Sequence, residues 1–179
     1  KQNSISKPAS HFSEEVSRQS LFHKNIQINS HKSVNNSIAI SGGDWFIVGA
    51  SVIGKSHLDN NLPCQDFNSV EKINNVWGIA VSCDGAGSAS NSNIGSEFVA
   101  KESTQIFKSI ILKEQIVQNK KLPNIEDWQE LAKKGLYQVK QNLDDFAKKE
   151  GYKVECLACT VIVLVYSPLG LLVAHIGDG

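Results

Sequence analysis

The chain has 179 residues, enough for one domain with a sizeable core and a tail. Its 18 lysines and arginines balance 18 aspartates and glutamates, which removes the electrostatic ground for a nucleic-acid or anionic-membrane partner. The longest apolar run, around residues 161–165, is too short to span a bilayer, and no basic segment followed by an apolar one opens the chain, so the expectation is a cytoplasmic protein. Arg18 is the sole arginine, so any grip on an anion beyond it falls to lysine or histidine. Cys64, Cys83, Cys156 and Cys159 sit in or beside apolar, strand-like segments and read as reduced, buried thiols.

Residues 1–42 are rich in Ser, Asn, Lys and Gln and read as a polar, flexible leader ahead of a domain over 43–179. His11, His23 and His31 in it lack metal-ligand spacing. A strand is predicted over 44–52, a polar loop over 54–63, and a second strand over 64–70. After a turn at 72–75, the apolar run from Val76 to Val81 predicts a buried strand that delivers Asp84 at its C-terminal end. Gly85-Ala86-Gly87 follows, a turn whose bare backbone allows close approach of a ligand or ion.

Ile94, Phe98, Val99, Ile106, Ile110 and Ile111 share one face of a helix over 93–113. In a second helix Asn124 is the capping side chain, Glu126 and Asp127 fill the first turn, and Lys148 and Lys149 fill the last before Gly151. Trp128, Leu131, Ala132, Leu136, Val139, Leu143 and Phe146 recur along it at core spacing. A β-branched strand over 157–166, a turn at 167–170 and a return strand over 171–176 end on Gly177-Asp178. His175, inside that last strand, reads as a core or inter-strand histidine. The order of elements predicts an antiparallel α+β domain with a helical layer on the sheet.

Three carboxylates, Asp66, Asp84 and Asp178, each lie at or near a predicted strand end. All-oxygen donors of this kind, with the Gly85 carbonyl as a further ligand, suit hard ions such as Mg²⁺ or Mn²⁺. Strand-end aspartates also cap turns, and from spacing alone both readings stand.

The patterns Gly54-x-Ser56-His57, Pro63-Cys64-Gln65-Asp66, Asp84-Gly85-Ala86-Gly87-Ser88 and Ala158-Cys159-Thr160-Val161-Ile162-Val163 followed by Val173-Ala174-His175-Ile176-Gly177-Asp178 resemble the type 2C, metal-dependent protein serine/threonine phosphatases, above all their prokaryotic branch. The resemblance covers about residues 44–179. It implies an α-β-β-α architecture, an antiparallel β-sandwich flanked by helices, with a two-metal site between the sheets. It implies Asp84 as the metal-bridging aspartate, Gly85 as the carbonyl ligand, Asp66 as a further ligand, and Asp178 on an additional, looser ion. Asp84 and Asp66 are thereby the implied catalytic residues, Mg²⁺ or Mn²⁺ the cofactor, and a phosphorylated protein the substrate, hydrolysed by metal-activated water. The family's last third carries two more ligand aspartates, so the resemblance also implies that these residues are the N-terminal portion of the domain, weakly active or inactive alone.

The chain departs from the pattern in places. The family's Glu before Asp66 is Gln65, and the arginine that many members place four residues earlier falls on Asn61. Lys55 and His57, in the preceding loop, are then the candidates to hold the substrate phosphate, together with Asn61 and Gln65. The histidine that some members carry after Asp-Gly is Ala86, which leaves His57 as the candidate general acid. These departures support a competing reading, a catalytically impaired phosphatase-like module that binds a phosphorylated partner. The Cys156-x-x-Cys159 pair, read as lying within or at the start of a strand, lacks the further ligands of a zinc site and the helical start of a redox motif.

Overall fold

A computed structural model describes the backbone of residues 34–42 and the backbone and side chains of residues 45–177. The strands are β1 (Val34–Gly42), β2 (Trp45–Val52), β3 (Phe67–Lys72), β4 (Gly78–Cys83), β5 (Val161–Ser167) and β6 (Gly170–Ile176). The helices are α1 (Lys55–Asp59), α2 (Ser92–Lys113), α3 (Ile116–Asn119) and α4 (Ile125–Glu150), with a 3₁₀ turn at Val154–Leu157. Most of the expected leader lies outside the described residues. Its last part does not: Val34–Gly42 pairs antiparallel with β2, from Val34↔Val52 to Gly42↔Trp45.

The other four strands form one antiparallel sheet in the order β3-β4-β5-β6, an α+β arrangement with helices on one face. Strand alternation assigns that face. Ile79, Val81 and Cys83 of β4 and Val161, Val163 and Val165 of β5 are all buried against the helices. Helix α2 meets them with Ser92, Gly95, Ser96, Val99, Ala100, Ser103, Thr104, Phe107 and Ile111. The stripe is rotated from the one expected, because small residues rather than isoleucines set the contact. Ile94, Phe98, Ile106 and Ile110 are only half-buried. A Cβ on Gly95 would lie 1.9 Å from the Leu157 carbonyl oxygen, so this helix approaches the backbone more closely than any side chain permits.

Helix α4 has the expected ends. Asn124 accepts a hydrogen bond from the Asp127 amide at 2.7 Å, and Gly151 closes the C-terminus at φ 77°. It packs on α2 through stacked Phe98 and Phe146 rings 4.4 Å apart, and Trp128 donates its indole N–H to the Val173 carbonyl on β6 at 2.7 Å.

Strand β2 meets the opposite face of the sheet. Asn68 of β3 donates to Ser51 Oγ at 2.8 Å, the Trp45 indole donates to the Ser167 carbonyl at 3.0 Å, and the Trp45 ring lies 5.9 Å from that of Tyr166. The outward side chains of β2, Phe46, Val48 and Val52, are exposed. So are Leu171 and Val173 on the edge strand β6.

Several local expectations are corrected. The polar loop at 54–63 contains helix α1. The second strand starts at Phe67 rather than Cys64; before it, the register with the Asp84–Gly85 segment is carried by one backbone bond, from the Gly85 amide to the Gln65 carbonyl. The strand expected over 157–166 starts at Val161. Cys156 lies in the 3₁₀ turn and Cys159 touches the sheet through a single bridge to Gly85, so the two do not share a strand. Cys64 and Cys83 are buried, whereas Cys156 and Cys159 are half-buried. His175 is exposed on β6, not in the core.

Candidate active site

The candidate site is assembled where β3, β4 and β5 run past their named ends. The Gly85 amide donates to the Gln65 carbonyl at 3.1 Å, which extends the Phe67↔Cys83 register and places Asp66 opposite Asp84. On the other side the Gly85↔Cys159 bridge extends the β4/β5 register and places Thr160 opposite Asp84. The Thr160 amide donates to the Asp84 carbonyl at 2.8 Å, and Thr160 Oγ1 accepts from the Asp84 amide at 3.1 Å. The Ala86 amide donates to the Ala158 carbonyl at 2.9 Å. Asp84 therefore sits on a short central strand with both backbone groups held by one threonine.

Like charges directly opposite each other across a sheet oppose folding. The Asp66 carboxyl is accordingly held above its ordinary value, first by loss of surrounding water, then by its hydrogen bond to Asp84 and the Asp84 charge. His57 nearby acts in the other direction. The His57 ring hydrogen-bonds the Pro63 carbonyl through Nδ1 at 3.1 Å; a carbonyl only accepts, so Nδ1 carries the proton in this contact and Nε2 is left to face outward chemistry.

The first residue after Asp84, Gly85, has no room for a side chain. A Cβ on Gly85 would lie 2.8 Å from the Gln65 carbonyl oxygen and 2.8 Å from Ser92 Cβ. The Gly85 carbonyl accepts no hydrogen bond among the described residues, and the buried Ser92 hydroxyl beside it has no partner. Two facing carboxylates with no lysine among the described residues against either, beside a carbonyl that accepts no bond from them, make an all-oxygen donor set that fits a hard divalent ion. Among the described residues no group of three His, Cys, Asp or Glu side chains is gathered for a metal, and Asp178 lies outside them.

Of the other expected residues, Lys55 opens helix α1 at the surface, and Asn61, also exposed, adopts a left-handed φ of 55°. Gln65 is half-buried and contributes its carbonyl. The structure thus brings together Asp66, Asp84, Gly85, His57 and the Gln65 backbone. Among the described residues it gives the Lys55, Asn61 and Gln65 side chains no hydrogen bond or ion pair. Thr160 carried no role in the sequence reading. The signal was its place in Ala158-Cys159-Thr160, ahead of β5, but its partner is 76 positions away.

A family model described as Protein phosphatase 2C matches residues 53–179, which include every one of these groups. The chain belongs to the protein phosphatase 2C family. Among relatives, Serine/threonine-protein phosphatase 3 of Escherichia coli (strain K12) is 32% identical over 143 residues, covering 75% of this chain. The chain spans about half of that relative, 51% of its length. No solved structure matches. Among the described residues of this phosphatase 2C chain, no helix is long and apolar enough to cross a membrane.

Proposed function

We propose that the chain contributes the Asp66–Asp84–Gly85 part of the active site of a metal-dependent protein serine/threonine phosphatase. The observation that carries the proposal is the pair of carboxylates, Asp66 and Asp84, set opposite each other beside the Gly85 carbonyl in a chain of the phosphatase 2C family. In this reading Asp66, Asp84 and the Gly85 carbonyl hold Mg²⁺ or Mn²⁺, with Asp178 on a further ion. When bound, such ions offset phosphate charge and acidify water for attack on phosphorus.

The chain's own residues then have separable roles. Asp84 is the ligand whose position is fixed by Thr160 from both sides. Asp66 completes the pair from the neighbouring strand. His57, with its Nδ1 proton committed to Pro63, keeps Nε2 free and is close enough to act on the Asp66 charge, which fits a proton-transfer role. Lys55, Asn61 and Gln65 line the segment that leads to Asp66 and fit contacts to the phosphate of a phosphoserine or phosphothreonine substrate. The full α-β-β-α sandwich belongs to the same proposal: β1 and β2 are the start of the second sheet, laid on the face of the first that carries the carboxylates.

The test, made on the full-length protein, is Mn²⁺-dependent hydrolysis of p-nitrophenyl phosphate, with Mn²⁺ binding followed by calorimetry. Turnover abolished by EDTA and by Asp84→Ala, with the Asp84→Ala fold intact by circular dichroism, is the expected result. Binding of Mn²⁺ without turnover would move the assignment to a phosphate-binding module. Absence of both would sink it.

A further inference from the structure

We infer that Cys83 and Cys159 form a reversible disulfide beside Asp84 when the protein meets hydrogen peroxide, and that this bond weakens metal binding at the site. The pair is long-range, 76 residues apart in the chain, and is unrelated to the Cys156-x-x-Cys159 spacing. Continuing the β4/β5 register puts Cys83 opposite Val161, and the bridge puts Cys159 opposite Gly85. The two cysteines are therefore diagonal neighbours on the helix-facing side of adjacent strands. The thiol of each is the first cause of the other's displacement from the ordinary thiol range, up for Cys83 and down for Cys159.

Access distinguishes them. Cys83 is 1% exposed, whereas Cys159 is half-buried and is the sulfur a small oxidant reaches first. Cys64 is engaged elsewhere, its thiol on the Asp66 carbonyl at 3.6 Å. In the first step the Cys159 sulfur attacks one peroxide oxygen; the S–O bond forms, the O–O bond breaks, and hydroxide leaves to take up the thiol proton as water. In the second, the Cys83 sulfur displaces the hydroxyl of the sulfenic acid; the S–S bond forms, the S–O bond breaks, and a second water leaves with the Cys83 proton. Two thiols are oxidised and one peroxide is reduced to two waters. A dithiol reductant reverses the bond.

The consequence follows from the neighbours. Cys83 immediately precedes Asp84, and Cys159 immediately precedes Thr160, which holds both backbone groups of Asp84. A covalent S–S bond draws the two segments closer than thiol contact does. It changes the Asp84–Thr160 register on which the carboxylate's aim depends. This part of the inference rests on the phosphatase reading; the disulfide itself does not.

The experiment treats the protein with hydrogen peroxide, blocks free thiols with N-ethylmaleimide, and maps cross-linked peptides by mass spectrometry without reduction. Mn²⁺ affinity is measured before and after oxidation. The expected result is a Cys83–Cys159 link that forms equally in Cys156→Ala, disappears with dithiothreitol, and accompanies about a tenfold loss of Mn²⁺ affinity, in the range for disturbed outer-shell partners. Cys83→Ala and Cys159→Ser should each keep Mn²⁺ affinity after the same treatment. A Cys156–Cys159 link, an intermolecular link, or sulfinic acid at Cys159 without a link overturns the disulfide. A mapped link with unchanged affinity overturns the metal consequence. A mapped link in a protein that binds no Mn²⁺ in either state overturns that consequence through the site reading and leaves the disulfide supported.

Discussion

The helix-covered face of the four-stranded sheet and the strand ends that carry Asp66 and Asp84 use the same strands under opposite rules. On the covered face the strand side chains agree with their surroundings: Ile79, Val81, Val163 and Val165 are at most 2% exposed and meet Phe107 and Ile111. At the strand ends each local rule is broken. Two acids face each other, and a glycine sits where no Cβ fits. The first region is what makes the second tolerable. Conflicts of this kind concentrate where a ligand, rather than the fold, sets the residue.

The comparison can be attacked from the packed side first. Phe107→Ala removes a fully buried ring between the sheet and Trp128, whose ring centroid is 6.0 Å away. It should cost about 3–5 kcal/mol in urea unfolding, enough to take the site with it. A loss below about 1 kcal/mol would mean that this face is not the stabilising one.

Thr160→Val tests the strand ends with less effect on the fold. It keeps the amide that donates to Asp84 but removes the hydroxyl that accepts from it. We expect Mn²⁺ affinity to fall about tenfold while the melting temperature changes little, and Thr160→Ser to restore binding. A fall in melting temperature with unchanged affinity would place Thr160 in the fold rather than the site.

The smallest effect has the opposite sign. Asp66 ionises less readily in the fold than in the unfolded chain, so the pair opposes folding once the pH exceeds the ordinary carboxylate range. Below that range both states are protonated and the penalty is gone. In metal-free protein Asp66→Asn should therefore raise the melting temperature at pH 7 by about 1–2 °C, with no gain in acid. A loss at pH 7 would show that the facing carboxylates are not in conflict.

What the sequence made legible divides along the same line. The cap at Asn124, the stop at Gly151 and the buried strand ahead of Asp84 depend on residues close in the chain, and they were read from capping chemistry and an apolar run. The strand at Val34–Gly42 was missed because its Ser- and Asn-rich composition has weak strand preference, and its pairing with β2 decides the outcome. Helix α1 was missed because one short turn leaves no periodic pattern. Asp66, Asp84 and Gly85 were singled out from their place at strand ends, and the resemblance supplied the roles expected of them. Thr160 and the Cys83–Cys159 contact were not, since each depends on two segments that only the β4/β5 register brings together.

Strand β6 closes the sheet on one side with no strand on its outer edge among the described residues; the Val173 carbonyl there accepts from the Trp128 indole, and Leu171, Val173 and Ile176 along the strand are 48–52% exposed. An apolar strand with free backbone donors and acceptors is a template for addition of another strand. The colloidal behaviour of this polypeptide in isolation is therefore set by β6: self-association should be second order in protein, rise with salt as apolar contacts strengthen, and be relieved by one lysine at position 173 without touching the strand ends that carry Asp66 and Asp84.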